Sequence, residues 1–361
     1  MTSVRSAGIA CLLVCSSLSS VAAQVVRGHI VDELNQQPVT GAWVLLIDQH
    51  GRAHARSLTD ETGAFVVRAE GAGELRLRTI LIGYRKWESE PLSLAVGQTV
   101  VQDVTMGLVR VALPAMTIEA ERTCRVRPEE GELTAALWGE VEKALEATAW
   151  TIEKRLYRFR SVLTSRTLDR TLTVLSDSTH RRLGYSDWPF LSIPADSLME
   201  YGFVQPDEGG PVYYGPDAQV LVSDAFLDNH CFRIRRARSD TSTVIGLAFE
   251  PVSDRRLTDI RGVLWVDTTT TALQALEFRY TRLSSWAPAE RTGGSIRFAS
   301  LPSGAWFIRD WRVRAPIARL QGSRRDTVLF GYLERGGRVV EVFSASGEPI
   351  VRFEEPTPPQ N

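Results

Sequence analysis

From residue 25 to residue 71 the chain reads VVRGHIVDELNQQPVTGAWVLLIDQHGRAHARSLTDETGAFVVRAEG. Apolar and polar residues alternate there in short stretches between turn-forming residues. A period of two sends successive side chains to opposite faces of a strand. VVRGHIVD, GAWVLLID, RAHARSLT, AFVVRA, ELRLRTI, PLSL and TVVQDVTM are therefore predicted strands, broken by LNQQP, QHG and DETG. Seven or eight short, closely spaced strands predict a β-sandwich over residues 24–107. Val26, Val44, Leu46, Phe65, Val67, Leu75, Leu77 and Val104 supply its core face. Trp43 alternates with Val44, so it points to solvent or to a neighbouring domain.

The pattern changes at EEGELTAALWGEVEKALEATAW, residues 129–150. Leu133, Leu137, Val141, Leu145 and Thr148 fall on one helical stripe. Acidic residues crowd the first turn, where the helix dipole favours them. Long strand patterns follow, among them LYRFRSVLTSRTL, TSTVIGLAFEPV, GVLWVDTTTTALQALEFRYTRL and DTVLFGYLERGGRVVEVF. Hairpin turns are expected at Thr268–Thr271 and at Pro302–Gly304. The proline-rich segment 186–219 shows little regular pattern, and irregular stretches this long are often functional. The predicted class is mainly β: a sandwich, a linker at 108–128, then one helix packed on a curved antiparallel sheet over 129–345. The polar, proline-rich end, 346–361, is expected to be a disordered tail.

Composition and the chain ends narrow the setting. Arg5, the apolar run GIACLLVCSSL and the small residues Val21-Ala22-Ala23 predict a signal peptide over residues 1–23. No later stretch has the apolar length of a spanning helix. The expected location is therefore outside the cytoplasm: periplasm, outer-membrane-associated or secreted. Lys and Arg number 42 against 43 Asp and Glu, a net charge of −1, which disfavours nucleic acid as a main partner. The basic run RIRRARSD, residues 233–240, reads as a solvated strand or hairpin. Two of the four cysteines lie in the signal peptide, and Cys124 and Cys231 remain to form one disulfide.

The order Gly28, then Pro38, Gly41, Ala42 and Val44, then Thr59, Asp60, Gly63 and Phe65, then Gly83 and Tyr84, then Gly97 resembles the carboxypeptidase regulatory-like domain. That family is a transthyretin-like sandwich of the carbohydrate-binding-like fold group. The resemblance implies a non-catalytic folding or docking module. Some relatives in the group bind glycans, which makes Trp43, Trp87 and Tyr84 a candidate ligand or partner surface. A zinc carboxypeptidase site needs His and Glu close in sequence plus a distant His. None of the five histidines begins H-x-x-E, so that activity is not expected here. Further on, Gly262, Leu264, Trp265, Asp267, Leu273, Leu276, Glu277 and Tyr280 form a pattern similar to periplasmic lipoprotein-carrier half-barrels. That likeness implies an apolar groove for acyl chains or peptide between helix 129–150 and the sheet, whereas the residues by themselves favour a filled core.

The densest polar cluster is SDAFLDNHCFRI, residues 223–234. On a helical turn Asp224 and Asp228 share a face, with His230 two residues on. Such a set can bind a metal or pair a base with its orienting group. Phe226, Leu227, Phe232 and Cys231 instead suggest a short helix leading into a strand. Ser223 lacks a G-x-S-x-G context, and no phosphate loop or dinucleotide fingerprint is present. The reading is a non-enzymatic, exported cell-envelope binding or interaction module, with no cofactor, no metal and no catalytic residues. Its partner is an envelope protein, a glycan or a lipid. The alternatives are a carrier-like groove for lipid or lipoprotein acyl chains, a glycan-binding protein, and a hydrolase using Asp224, Asp228 and His230.

Overall fold

The computed structural model describes residues 24–69, 73–108, 128–185, 192–208, 210–236, 243–321 and 326–353. The expected signal peptide and nearly all of the expected linker lie outside them.

The N-terminal part is a two-sheet sandwich, and the chain as a whole is mainly β, as its alternation predicts. Strand β1 (Gln24–Asp32) is central to one sheet, and β2 (Trp43–Ile47) pairs with β3 (Ala53–Leu58) in the other. β4 (Ala64–Ala69) returns antiparallel to β1, and β5 (Gly73–Ile80) lies beside β2. β6 (Trp87–Glu88) and β7 (Leu92–Leu94) pair with β5, while β8 (Thr99–Val101) and β9 (Val104–Met106) run parallel to β1. All eight residues expected on the core face are buried between the two sheets. β2 departs from simple alternation, because all five of its residues are buried. Val44 and Leu46 face the sandwich core, while Trp43, Leu45 and Ile47 belong to a second core.

That second core is built on helix α1 (Pro128–Glu153). Leu137, Val141 and Leu145 of the expected stripe are buried in it. Trp150, at the far end of the helix, meets Trp43 edge to face, with centroids 4.3 Å apart. One cluster thus runs from the outer face of β2 through α1 to the large sheet beyond, where it includes Leu247, Leu264 and Leu276. The helix is a middle layer between two sheets.

The large sheet has ten strands. β10 (Tyr157–Leu168) and β11 (Val174–Tyr185) form a long hairpin. Helix α2 (Ala195–Tyr201), the small hairpin β12 (Val204–Gln205) and β13 (Val212–Tyr213), and helices α3 (Ala218–Leu221) and α4 (Asp224–Asp228) follow. Segment 186–219, read as irregular, therefore carries short elements held by Leu198 and Phe203 in the core. A meander then runs through β14 (His230–Arg236), β15 (Val244–Pro251), β16 (Asp259–Asp267), β17 (Leu273–Thr281), β18 (Gly293–Ser300), β19 (Trp306–Gln321) and β20 (Asp326–Ser344). The spatial order is β11-β10-β20-β19-β18-β17-β16-β15-β14, with the two expected hairpin turns between β16 and β17 and between β18 and β19. The expected disordered tail is corrected at its start. Residues Pro349–Arg352 form β21 on β20, because Val351 and Phe353 pack beside Phe307 and Arg352 pairs with the buried Glu341.

Since Trp43 closes the core shared by both parts, Trp43→Ala should cost about 3–5 kcal/mol, the usual loss for a large buried aromatic. Denaturant unfolding followed by circular dichroism should show one earlier transition for the whole chain. Two separate transitions would mean that the sandwich and the sheet do not share a core.

Candidate functional site

Helix α1 covers only part of its sheet face. Ile308, Trp311 and Val313 of β19 pack against the helix-centred core, and the same three side chains continue into a cavity of about 820 Å³ beyond it. The floor comes from four strands. β10 gives Ser161, Leu163 and Ser165, β19 gives Trp311, Val313 and Ala315, β20 gives Leu333 and Gly337, and β11 gives Gly184 and Tyr185. Val212 and Tyr213 of the small hairpin form a side wall. Burial pushes the Tyr213 phenol up to about 12, so it stays neutral at physiological pH. It meets the buried Tyr280 ring edge-on at 5.3 Å, and the Tyr280 hydroxyl donates to the Tyr214 carbonyl at 2.9 Å.

The floor depends on a glycine. A Cβ on Gly337 would lie 2.4 Å from Trp311 Nε1 and 3.0 Å from Leu163 Cδ2. With glycine there, the indole lies down across the neighbouring strand, an aromatic covering the glycine opposite it. The ionisable side chains at the groove's border are basic. Arg182, Arg309, Arg335, Arg338 and His180 line it, and among the described lining residues there is no Asp or Glu. The arrangement is an apolar trough with a basic border, of a size that holds one small ligand.

The sandwich is fixed to the helix by buried polar groups. Glu140 is 2% exposed, and its Oε2 accepts the Gly83 N–H at 2.8 Å. Its Oε1 accepts from Lys143 Nζ at 2.6 Å, and the same ammonium donates to the Tyr84 carbonyl at 2.8 Å. The Tyr84 hydroxyl donates in turn to Asp32 at 2.8 Å. Burial and this carboxylate push the phenol up to about 12. Gly41, at φ 73°, touches the β18–β19 turn so closely that a Cβ would lie 2.5 Å from the Gly304 Cα. Within the sandwich, Thr59 Oγ1 donates to the Val39 carbonyl at 2.6 Å and accepts the Ala42 N–H at 2.8 Å. The motif positions Gly41, Thr59, Gly83 and Tyr84 are thus turn and junction positions.

Residues 25–107 match the family of the carboxypeptidase regulatory-like domain.

No curated protein matches the chain. Among solved structures, a cohesin–X-dockerin complex from Acetivibrio cellulolyticus shares 17% identity over 24% of this chain and 59% of its own, with a TM-score of 0.20. Catechol 1,2-dioxygenase from Pseudomonas arvilla C-1 shares 12% over 32% of this chain and 60% of its own, at 0.20. A candidate carbohydrate-binding protein from Bacteroides uniformis shares 8% over 68% of this chain and 98% of its own, at 0.21. The chain spans less than two thirds of the first two, and scores this low carry no argument about function.

The surface expected on the regulatory-like domain is not an open one. Trp43 is buried against Trp150, Tyr84 is held at the junction, and Trp87 is half-buried over the sandwich core. Of the two indoles offered for stacking, Trp43 is covered by the helix. Of the two readings for the interface between helix 129–150 and the sheet, the filled core holds: Leu137, Val141, Leu264 and Leu276 pack there. The open space lies further along, over β10, β11, β19 and β20. Of the half-barrel pattern, Leu264, Leu273, Leu276 and Tyr280 are buried core residues.

The polar cluster separates. Asp224 and Asp228 are exposed on α4, while His230 is buried. Its Nε2 lies 3.1 Å from Asp259 Oδ1, and its Nδ1 lies 2.9 Å from the Phe226 carbonyl. The ring stacks on Phe226 at 3.8 Å, and Arg255 closes on the other carboxylate oxygen of Asp259. This is a buried structural network. Among the described residues no group of three or more His, Cys, Asp or Glu could hold a metal. Cys231 is half-buried on β14, and Cys124 lies outside the described residues.

Burial alone would raise Asp259, but hydrogen bonds from His230, Arg255 and the Ile260 N–H outweigh it and hold the carboxyl below its ordinary 3.8. A depressed carboxyl stabilises the fold above its unfolded value and loses that contribution as pH falls through the folded one. Stability should therefore drop from about pH 4 downward. Asp259→Asn should be less stable at pH 7 by about 3–5 kcal/mol and show a flatter fall from about pH 4 downward. Urea unfolding across that range checks it, and an unchanged slope would contradict it.

Proposed function

We propose that the chain is a non-enzymatic, exported cell-envelope binding protein whose ligand occupies the groove beyond α1. The observation that carries this reading is the uncovered part of the sheet face, an apolar cavity of about 820 Å³ continuous with residues of the packed core. Binding sites of small molecules are mostly apolar, concave and of this size. The regulatory-like domain serves as a buttress in this reading. Its contacts to α1 through Gly83, Tyr84 and Trp43 fix the helix, and so fix where the covered part of the sheet ends. Export rests on the pattern of residues 1–23, and a periplasmic or outer-membrane-associated location follows from it. A Cys124–Cys231 bridge belongs to the same reading, because an exported chain folds where thiols oxidise.

The carrier-like alternative gains from this geometry, with the groove moved along the sheet. The glycan alternative loses its stacking ring at Trp43. The hydrolase alternative loses the convergence it requires, since Asp224 and Asp228 are exposed while His230 pairs with Asp259.

The neutral apolar dye N-phenyl-1-naphthylamine should bind saturably, with enhanced fluorescence. Ala315→Trp, which fills the floor, should weaken it roughly tenfold or more while leaving the thermal transition in place. Equal binding by the filled variant would place the ligand elsewhere. For the cysteines, the intact mass without reductant should be about 2 Da below the reduced mass, and no difference would rule the bridge out.

A further inference from the structure

The groove ends where the large sheet divides. Pairing of β19 with β20 begins only at Asp310 and Arg338, whereas Trp306, Phe307 and Ile308 pair with β18 alone. At that fork β18 opposes Arg297 to Asp310 and Phe298 to Ile308, which leaves Arg309 as the extra residue of a β-bulge. Bulges re-aim a side chain out of the regular alternation. Here the side chain is a half-buried arginine. Its guanidinium lies over the Phe353 ring, 3.9 Å from the centroid, and donates one N–H to the Val339 carbonyl. Two cavities, of about 820 and 590 Å³, share Arg309 and Arg338 among their lining residues.

The charge at this fork is not balanced. A guanidinium carries five N–H donors. Among the described residues no carboxylate pairs with Arg309. Asp310, the acid whose charge acts on Arg309, already accepts from Arg297 Nε at 2.8 Å. Burial lowers the Arg309 pKa, and the neighbouring Arg338 charge lowers it further, with Asp310 only partly opposing. A half-buried cation next to a like charge is costly unless an anion joins it.

We propose that Arg309, with Arg338 beside it, anchors a carboxylate, so that the occupant of the groove is a long-chain fatty acid. This rests on the groove being the binding site. One guanidinium fork takes both oxygens of one carboxylate. The apolar floor formed by Trp311, Val313 and Leu333 takes the chain, and the groove's described lining holds no acid, while Asp310, on the second cavity, is already paired with Arg297. Arg309 is thereby a specificity-determining residue: it selects the charged head, while the floor supplies most of the contact.

The test is displacement of N-phenyl-1-naphthylamine by three twelve-carbon competitors: laurate, dodecanol and dodecyl phosphate. In the native protein laurate should displace the dye at roughly tenfold lower concentration than dodecanol, the worth of one charge-assisted pair. In Arg309→Met that ratio should fall to near one, and Arg338→Met should reduce it in the same direction if the first variant folds poorly. Because the ratio is read within each protein, a general loss of affinity does not imitate it. Equal displacement by laurate and dodecanol in the native protein would overturn the carboxylate anchor while leaving the groove as the site. Tighter binding of dodecyl phosphate than of laurate would overturn the carboxylate in favour of a phosphate. No displacement by any competitor would remove the groove reading and this proposal with it.

Discussion

The arrangement of this protein depends on a helix buried between two sheets. Glu140, Lys143 and Trp150 lie on one side of α1 and hold the sandwich, while Leu137, Val141 and Leu145 join the core of the large sheet. The Glu140–Lys143 pair is expensive to bury, and its hydrogen bonds to Gly83 and Tyr84 are what make that burial tolerable. Removing either partner strands the other. Such a pair adds little net stability, but it accepts only one docking geometry.

That geometry explains why the sheet has a covered and an uncovered region. The helix and the short elements after it fill the inner face of β14 to β18. β10, β11 and the far parts of β19 and β20 extend past them and leave Trp311, Val313 and Leu163 facing open space. The sandwich has no part in the groove itself. Its role is mechanical, through a β2 that is apolar on both faces because it serves two cores.

The sandwich core was legible in the sequence because alternation places Val26, Val44, Leu46, Phe65 and Val67 on one side without further information. The same alternation directed Trp43 away from that core, to solvent or to a neighbouring domain. Which surface met which was not legible, since a two-fold period names a face and says nothing of its neighbour. The groove escaped for a related reason. Its floor uses Trp311 and Val313, which have the pattern of ordinary core positions and differ only in what lies above them. Two signals were present. Gly336-Gly337 inside a long strand run marks a close approach to a neighbouring side chain. Arg309 breaks the alternation of WFIRDWRV, where a bulge later appears. The Asp224, Asp228 and His230 cluster misled because helical spacing brings the two aspartates together but cannot tell that His230 turns inward to Asp259, 29 residues away in sequence.

Whether the uncovered sheet face is a ligand site is read by native mass spectrometry of the protein as purified from cells that produce it. One extra mass, that of a single-chain acid, should sit on the native chain and be absent from Ala315→Trp prepared in parallel. A bare native chain, or the same adduct retained by the filled variant, would contradict it.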